Sequence, residues 1–179
     1  VSVKGVSAPA GSPQMGADAL EGAAAVLSAL YRHRDTLSTR TSEIEGIGSP
    51  TLVVTEIRGG EGALAVPGEV TMLVDRRLLP EEDAKAVESE VTNIIGRAAA
   101  PIQGVVCRVR RRRLLHAVVP GDEVSKLRDL ISTVCEQVTE ERPAVYGAAF
   151  ETSARDFAAA DVPVVMYGAG SVGATGHMA

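Results

Sequence analysis

Hydrophobic positions in this chain alternate every second residue in three stretches and recur at helical spacing between them. Val1, Val3 and Val6 predict a first strand over Val1–Ser7, followed by a loop rich in Pro, Gly and Ser from Ala8 to Gly16. Leu20, Ala24, Leu27 and Tyr31 mark one face of a helix reaching about Arg34, with Asp18 as N-cap and Glu21 three residues on. A polar stretch ends at Gly46, Gly48 and Pro50, and the β-branched run Thr51–Arg58 reads as a second strand. Gly59, Gly60 and Gly62 make a turn. In the third strand Val70, Met72 and Val74 alternate with Thr71, Leu73 and Asp75, so Asp75 and Arg77 share the face opposite the apolar one. Pro80 fits a first helical position, and Glu81, Glu82 and Asp83 suit the positive end of the helix dipole. That helix runs from Glu81 to about Ala98 on Ala84, Val87, Val91 and Ile94 or Ile95, and Gly104–Arg113 is the fourth strand.

The order βαββαβ predicts an α+β, ferredoxin-like split-βαβ domain, with two helices on one face of an antiparallel sheet. The rest changes style. Asp122–Val138 predicts a helix with Val124, Leu127, Ile131, Val134 and Val138 on one side, and Pro143 breaks the pattern. Ala144–Phe150 (AVYGAAF) suits a short strand, Thr152 a cap for a short helix holding Arg155 and Phe157. The continuous apolar run Val162–Tyr167 reads as a strand buried on both faces. Gly168, Gly170 and Gly173 then lead as a mobile loop to His177. The expected domains are therefore 1–117 and 118–179, the second an incomplete α/β segment with too few strands to close by itself.

Composition adjusts this picture. At 179 residues the chain holds one domain, or one with an attached unit, and 3% aromatics with no Trp leaves the core to Val, Leu, Ile and Ala. The net charge of −5 argues against a general nucleic-acid partner. The run Arg108, Arg110, Arg111, Arg112, Arg113 lacks interleaved aromatics and reads as the solvated face of the fourth strand. Cys107 and Cys135 fit no metal spacing and read as reduced, buried thiols of a cytoplasmic protein. No apolar run approaches the roughly 20 residues of a membrane span, and no signal peptide is visible. The VSVKGVS opening and the GATGHMA end suggest a piece of something longer.

Candidate chemistry is sparse. His33, between Arg32 and Arg34, reads as charge complementing a helix C-terminus, and His116 after two leucines as a packing residue. His177 lies past a strand end, where α/β sheets present ligand groups, although a lone loop histidine is more often an ordinary surface residue. The histidines show no paired carboxylate spacing, and the sequence contains no GxSxG elbow, Walker loop or dinucleotide fingerprint.

Three stretches in order, VKGVSAPAGSPQMGADALEGAAAVLSAL, GEVTMLVDRRLLPEED and FETSARDFAAADVPVVMYGAG with a following His, resemble the zinc-dependent M20 peptidase and deacylase family. That family includes acetylornithine deacetylase, succinyl-diaminopimelate desuccinylase and carboxypeptidase-type members. The resemblance implies a split-βαβ lid that forms a homodimer, inserted into an α/β domain holding two zinc ions and acting on a small acylated amino acid or peptide. His177 matches a late zinc ligand and Arg77 the arginine of a D-x-R strand that holds a substrate carboxylate, with Gly168 and Gly170 also expected at the substrate. Three positions depart from the family. Pro9 stands where a histidine is usual, Leu64 where an N-x-V-P asparagine is, and Thr152-Ser153-Ala154-Arg155 replaces T-D-A-R. The first, metal-binding half of the catalytic domain has no counterpart in the sequence. The expectation is a fragment or variant of an amide hydrolase, catalytically incomplete as this chain, with no catalytic residue assigned. The alternative is a non-catalytic dimerisation or partner-binding module; a nucleic-acid binder using the arginine strand ranks last.

Overall fold

The period-two pattern of the third predicted strand is realised with Val70 and Met72 buried and Thr71 exposed. This computed structural model describes residues 1–60, 62, 64–115, 117, 121–148 and 152–168. The chain divides into two compact units, Val1–Thr41 with Ser49–His116, and Ser42–Gly48 with Ala117–Ala179.

The first unit carries a four-stranded sheet built from β1 (Ser2–Lys4), β3 (Thr51–Gly59), β5 (Glu69–Arg77) and β6 (Val106–Arg108), in the order β3-β5-β1-β6. All its pairings are antiparallel, and Val3 faces Val70 on one side and Cys107 on the other. β3 shifts register between Val54 and Glu56, a bulge. A second, short ladder joins β2 (Ala8–Pro9) to β4 (Ala65–Val66). Helices α1 (Ala19–Leu37) and α2 (Ala84–Ala99) complete the βαββαβ order, an α+β split-βαβ fold. Val3, Val26, Leu30, Leu52, Val70 and Ile95 lie fully out of solvent in one cluster. Each such side chain stabilises the fold by about 1.5–3 kcal/mol.

Asp18 caps α1 as its spacing requires, Oδ1 accepting from the Leu20 N–H at 2.7 Å and the Glu21 N–H at 3.3 Å. The buried face differs from the expected one. Ala19, Gly22, Ala23, Val26 and Leu30 face the core, while Leu20 is half exposed. Small residues decide this, because a Cβ on Gly22 would stand 2.7 Å from Val105 Cγ1 and 3.0 Å from Val3 Cγ1. The helix approaches the sheet on the side that has no bulk.

α2 also starts later than Pro80 suggests. Its N-cap is Asp83, whose Oδ1 accepts from the Ala86 N–H at 2.7 Å, and Glu81 and Glu82 lie in the preceding turn. β6 stops at Arg108 rather than Arg113, because β1 offers partners only across Ser2–Lys4.

In the second unit α3 (Asp122–Thr139) and α4 (Ala154–Ala159) accompany the segment Ser42–Gly48. The Gly147 N–H donates to the Glu45 carbonyl at 2.6 Å, and a Cβ on Gly147 would sit 2.5 Å from Ile47 Cγ1. On the expected face of α3, Val124, Leu127 and Ile131 are half-buried, but Val134 and Val138 are exposed. Val162–Tyr167 and Ala144–Ala148 form no strand, and Val162 and Tyr167 are exposed. A strand buried on both faces needs hydrogen-bonding neighbours and covering layers, and the described residues of this unit supply neither.

Candidate functional site

Asp75, Arg76 and Arg77 end β5 with side chains sent to alternate faces. On the open face Arg77 Nε donates to Asp75 Oδ1 at 3.0 Å. The Arg77 side chain keeps 57% of its surface in solvent and Asp75 42%, so the carboxylate aims the guanidinium without covering it. A planar fork of N–H donors presented this way suits a carboxylate ligand.

Arg76 points the other way, toward the helices, where an arginine has to find a partner. Its Nη2 meets Glu82 Oε1 at 2.7 Å, and Nη1 donates to the Arg77 carbonyl. Glu82 Oε2 also accepts the Leu79 N–H at 2.9 Å, which fixes the turn ahead of α2. Arg40 then bridges Glu82 Oε1 at 3.3 Å and Glu90 Oε1 at 3.2 Å. Burial pushes the Glu82 carboxyl up, but the Arg76 hydrogen bond, the Leu79 N–H and Arg40 together hold it below the usual glutamate value. His33 Nε2 stands 4.0 Å from Glu90 Oε1, with the imidazole only 9% exposed. His33 Nε2 and Arg76 Nε are both buried without a hydrogen-bond partner among the described residues. The reading of His33 as a helix-end charge is therefore corrected: α1 continues to Leu37, and His33 faces the α2 carboxylate Glu90 from within it. This network fastens α1, β5 and α2 together. The signal for it in the sequence was Arg76 itself, a cation on the apolar face of a strand.

Two of the atypical positions come together. Pro9 pairs with Ala65 in the β2–β4 ladder, and the Ala10 N–H donates to the Leu64 carbonyl at 2.8 Å. Leu64 has φ of 74°, in the left-handed region, and its side chain is exposed. Nothing in the local sequence pattern announced this pairing, since each strand has two residues. Thr152 Oγ1 accepts the Ala154 N–H at 3.2 Å, but the N-cap of α4 is Ser153, with no side-chain cap bond, so the expected cap at Thr152 is corrected by one residue.

Gly168 follows the exposed Tyr167 in the second unit, while Gly170, His177 and His116 lie outside the described residues. Among the described residues no group of three or more His, Cys, Asp or Glu side chains gathers as a metal centre, so the donor set there does not fit zinc. Cys107 and Cys135 are free thiols, each half-buried rather than buried as expected, and partial burial pushes the Cys107 thiol up. Arg111 Nη1 is paired with Glu88 Oε2 at 2.6 Å. No helix among the described residues is long and apolar enough to cross a membrane.

The family model of the peptidase dimerisation domain matches residues 1–103. No curated protein matches the chain. Among solved structures, aminopeptidase PepT from Bacillus cereus is similar with a TM-score of 0.63 and 18% identity, over 90% of this chain and 40% of that one. A tripeptidase from Staphylococcus aureus is similar with a TM-score of 0.56 and 14% identity, again over 90% of this chain and 40% of that one. At such identities the likeness is one of fold. The chain spans about 40% of the length of these two structures.

Proposed function

The chain belongs to the M20 peptidase family, with that family's dimerisation domain over residues 1–103, and on that premise we propose that it forms a homodimer along the free edge of β3. The observation that carries this reading is the edge itself. β3 is nine residues long and lies outermost in the sheet, with Val53 49% and Ile57 50% exposed. An edge of that length with apolar side chains pairs readily with another strand. In this reading residues 1–117 act as lid and residues 118–179 as the C-terminal part of a catalytic domain.

Arg77 holds the carboxylate of a peptide or acylated amino acid, and the exposure of its guanidinium beside Asp75 supports that role. Gly168, Gly170 and His177 belong to the same proposal, the glycines toward substrate and His177 toward zinc. No hydrolytic step is assigned to the described residues, and this chain alone is proposed to be catalytically incomplete because Pro9, Leu64 and Ser153 stand where the family's polar residues are expected. A cytoplasmic location completes the reading and rests on the free thiols.

Sedimentation of the chain at micromolar concentration tests the dimer. We expect a dimer that Val53→Lys with Ile57→Lys converts to monomer; a wild-type monomer overturns the reading. Calorimetry with zinc tests the incomplete site, and stoichiometric sub-micromolar binding would count against it.

A further inference from the structure

The edge of the sheet opposite β3 is short and runs straight into arginine. β1 offers partners only to Val106–Arg108 of β6, so residues 109–113 continue past the sheet with no strand beside them among the described residues. Arg108, Arg110 and Arg112 are exposed there, and among the described residues none of their side chains has an ion pair. Carboxylates are not scarce, since the chain holds 23 acidic residues against 18 Lys and Arg. Cys107 packs toward the core and Arg111 reaches α2, so alternation puts Arg108, Arg110 and Arg112 together on the other face.

α2 walls this edge on the helix side. The helix packs on β6, and its Glu90 turns toward His33 of α1. Glu88, about 200° round the helix from Glu90, turns the other way. It meets Arg111 Nη1 at 2.6 Å. On that outer flank Lys85, Glu88, Ser89, Thr92 and Asn93 line an open groove of about 470 Å³. Arg111 already neutralises its one carboxylate, which leaves a lysine, hydroxyls and an amide to meet a ligand. A segment extended along β6 would send alternate side chains to the two faces, about 6.5 Å apart on each. One set meets the α2 flank, and the other meets arginines whose planar forks suit carboxylates. We propose that this edge docks an extended acidic segment of another protein, added as a strand outside β6 with its carboxylates on Arg108, Arg110 and Arg112. A nucleic acid fits less well, because the run has no aromatic side chain to stack a base and the net charge of −5 repels a polyanion. The site lies across the sheet from β3 and does not rest on the homodimer.

A fluorescent peptide of alternating Glu and Thr, about eight residues long, provides the probe, titrated with the full chain and read by anisotropy. At low salt we expect saturable binding with a Kd of roughly 10–100 μM, weakened about tenfold by Arg110→Gln combined with Arg112→Gln. Both side chains are exposed, so the double variant is expected to melt as wild type does. Bound peptide should also protect the amides of residues 109–113 from hydrogen exchange, which strand pairing produces and charge attraction alone does not. A peptide of the same composition with Glu and Thr in separate blocks should bind more weakly. Equal binding of the two peptides, or unchanged binding by the folded double variant, would reduce the edge to an ordinary solvated surface. Failure of the alternating peptide to saturate overturns the proposal outright. Tighter binding of a single-stranded oligonucleotide of the same charge would overturn it in favour of nucleic acid.

Discussion

The first unit sinks Leu30, Leu52, Val70 and Ile95 out of solvent, whereas Leu130, Val134, Val138 and Phe157 of the second remain half exposed or more. The helices are not the reason. α3 carries an apolar stripe as regular as that of α2, and it is acidic in its first turn at Asp122 and Glu123. What differs is the surface opposite. α1 and α2 lie against a sheet of four strands, while the described part of the second unit holds two helices and loops. An amphipathic pattern states that a side chain needs an apolar neighbour, and tertiary structure decides whether it has one.

Truncation at matched positions gives the widest contrast. Leu30→Ala should cost about 2–5 kcal/mol in urea unfolding, since it empties a fully buried site. Val134→Ala should stay within about 0.5 kcal/mol. Equal costs at the two positions would break the comparison. Next comes the polar part of the first unit. Glu82→Gln leaves Arg76, 9% exposed, without its carboxylate and should cost about 2 kcal/mol near neutral pH.

Acid sharpens that case. Glu82 titrates below a free glutamate, so the stability it contributes is fully present above about pH 4.3 and is lost as pH falls through the lower folded value. The wild-type and Glu82→Gln stability curves should therefore converge in acid, and parallel curves would remove Glu82 from the account. Smaller effects separate the helix starts. Asp18→Ala should cost about 1 kcal/mol, because two N–H groups of α1 lose their acceptor. α3 begins at Gly121 with no side-chain cap, and a Cβ there meets nothing within 4 Å. Gly121→Asp should raise stability by a few tenths of a kcal/mol, readable as a small gain in the melting curve.

These same regions show what the sequence could tell. The βαββαβ order and the Asp18 cap were legible, because period, cap and turn residues are local. The face of α1 was not, since hydrophobicity favours Leu20 and close packing favours Gly22 and Ala23. Pro80 looked like a helix start, yet Glu82 was drawn into pairing with Arg76 and Asp83 took the cap. Alternation separated Arg76 from Arg77 by face but could not name their partners. The β2–β4 ladder, which brings Pro9 to the Leu64 loop, depends on residues far apart in the chain and carries no periodic signal. Val162–Tyr167 has the composition of a strand without the neighbours that make one.

The bulge in β3 changes how that strand has to be read. Val54 stands opposite Val74, but beyond Thr55 the pairing resumes with Glu56 opposite Leu73 and Ile57 opposite Met72. Strict alternation from Leu52 would have turned Glu56 and Arg58 toward the helices and Ile57 away from them. The extra residue acts as a frameshift in the pleat: it returns Ile57 to the apolar side and sends both charges outward. One extra residue thus sets which face the outer half of the strand shows, and there Ile57 is 50% exposed.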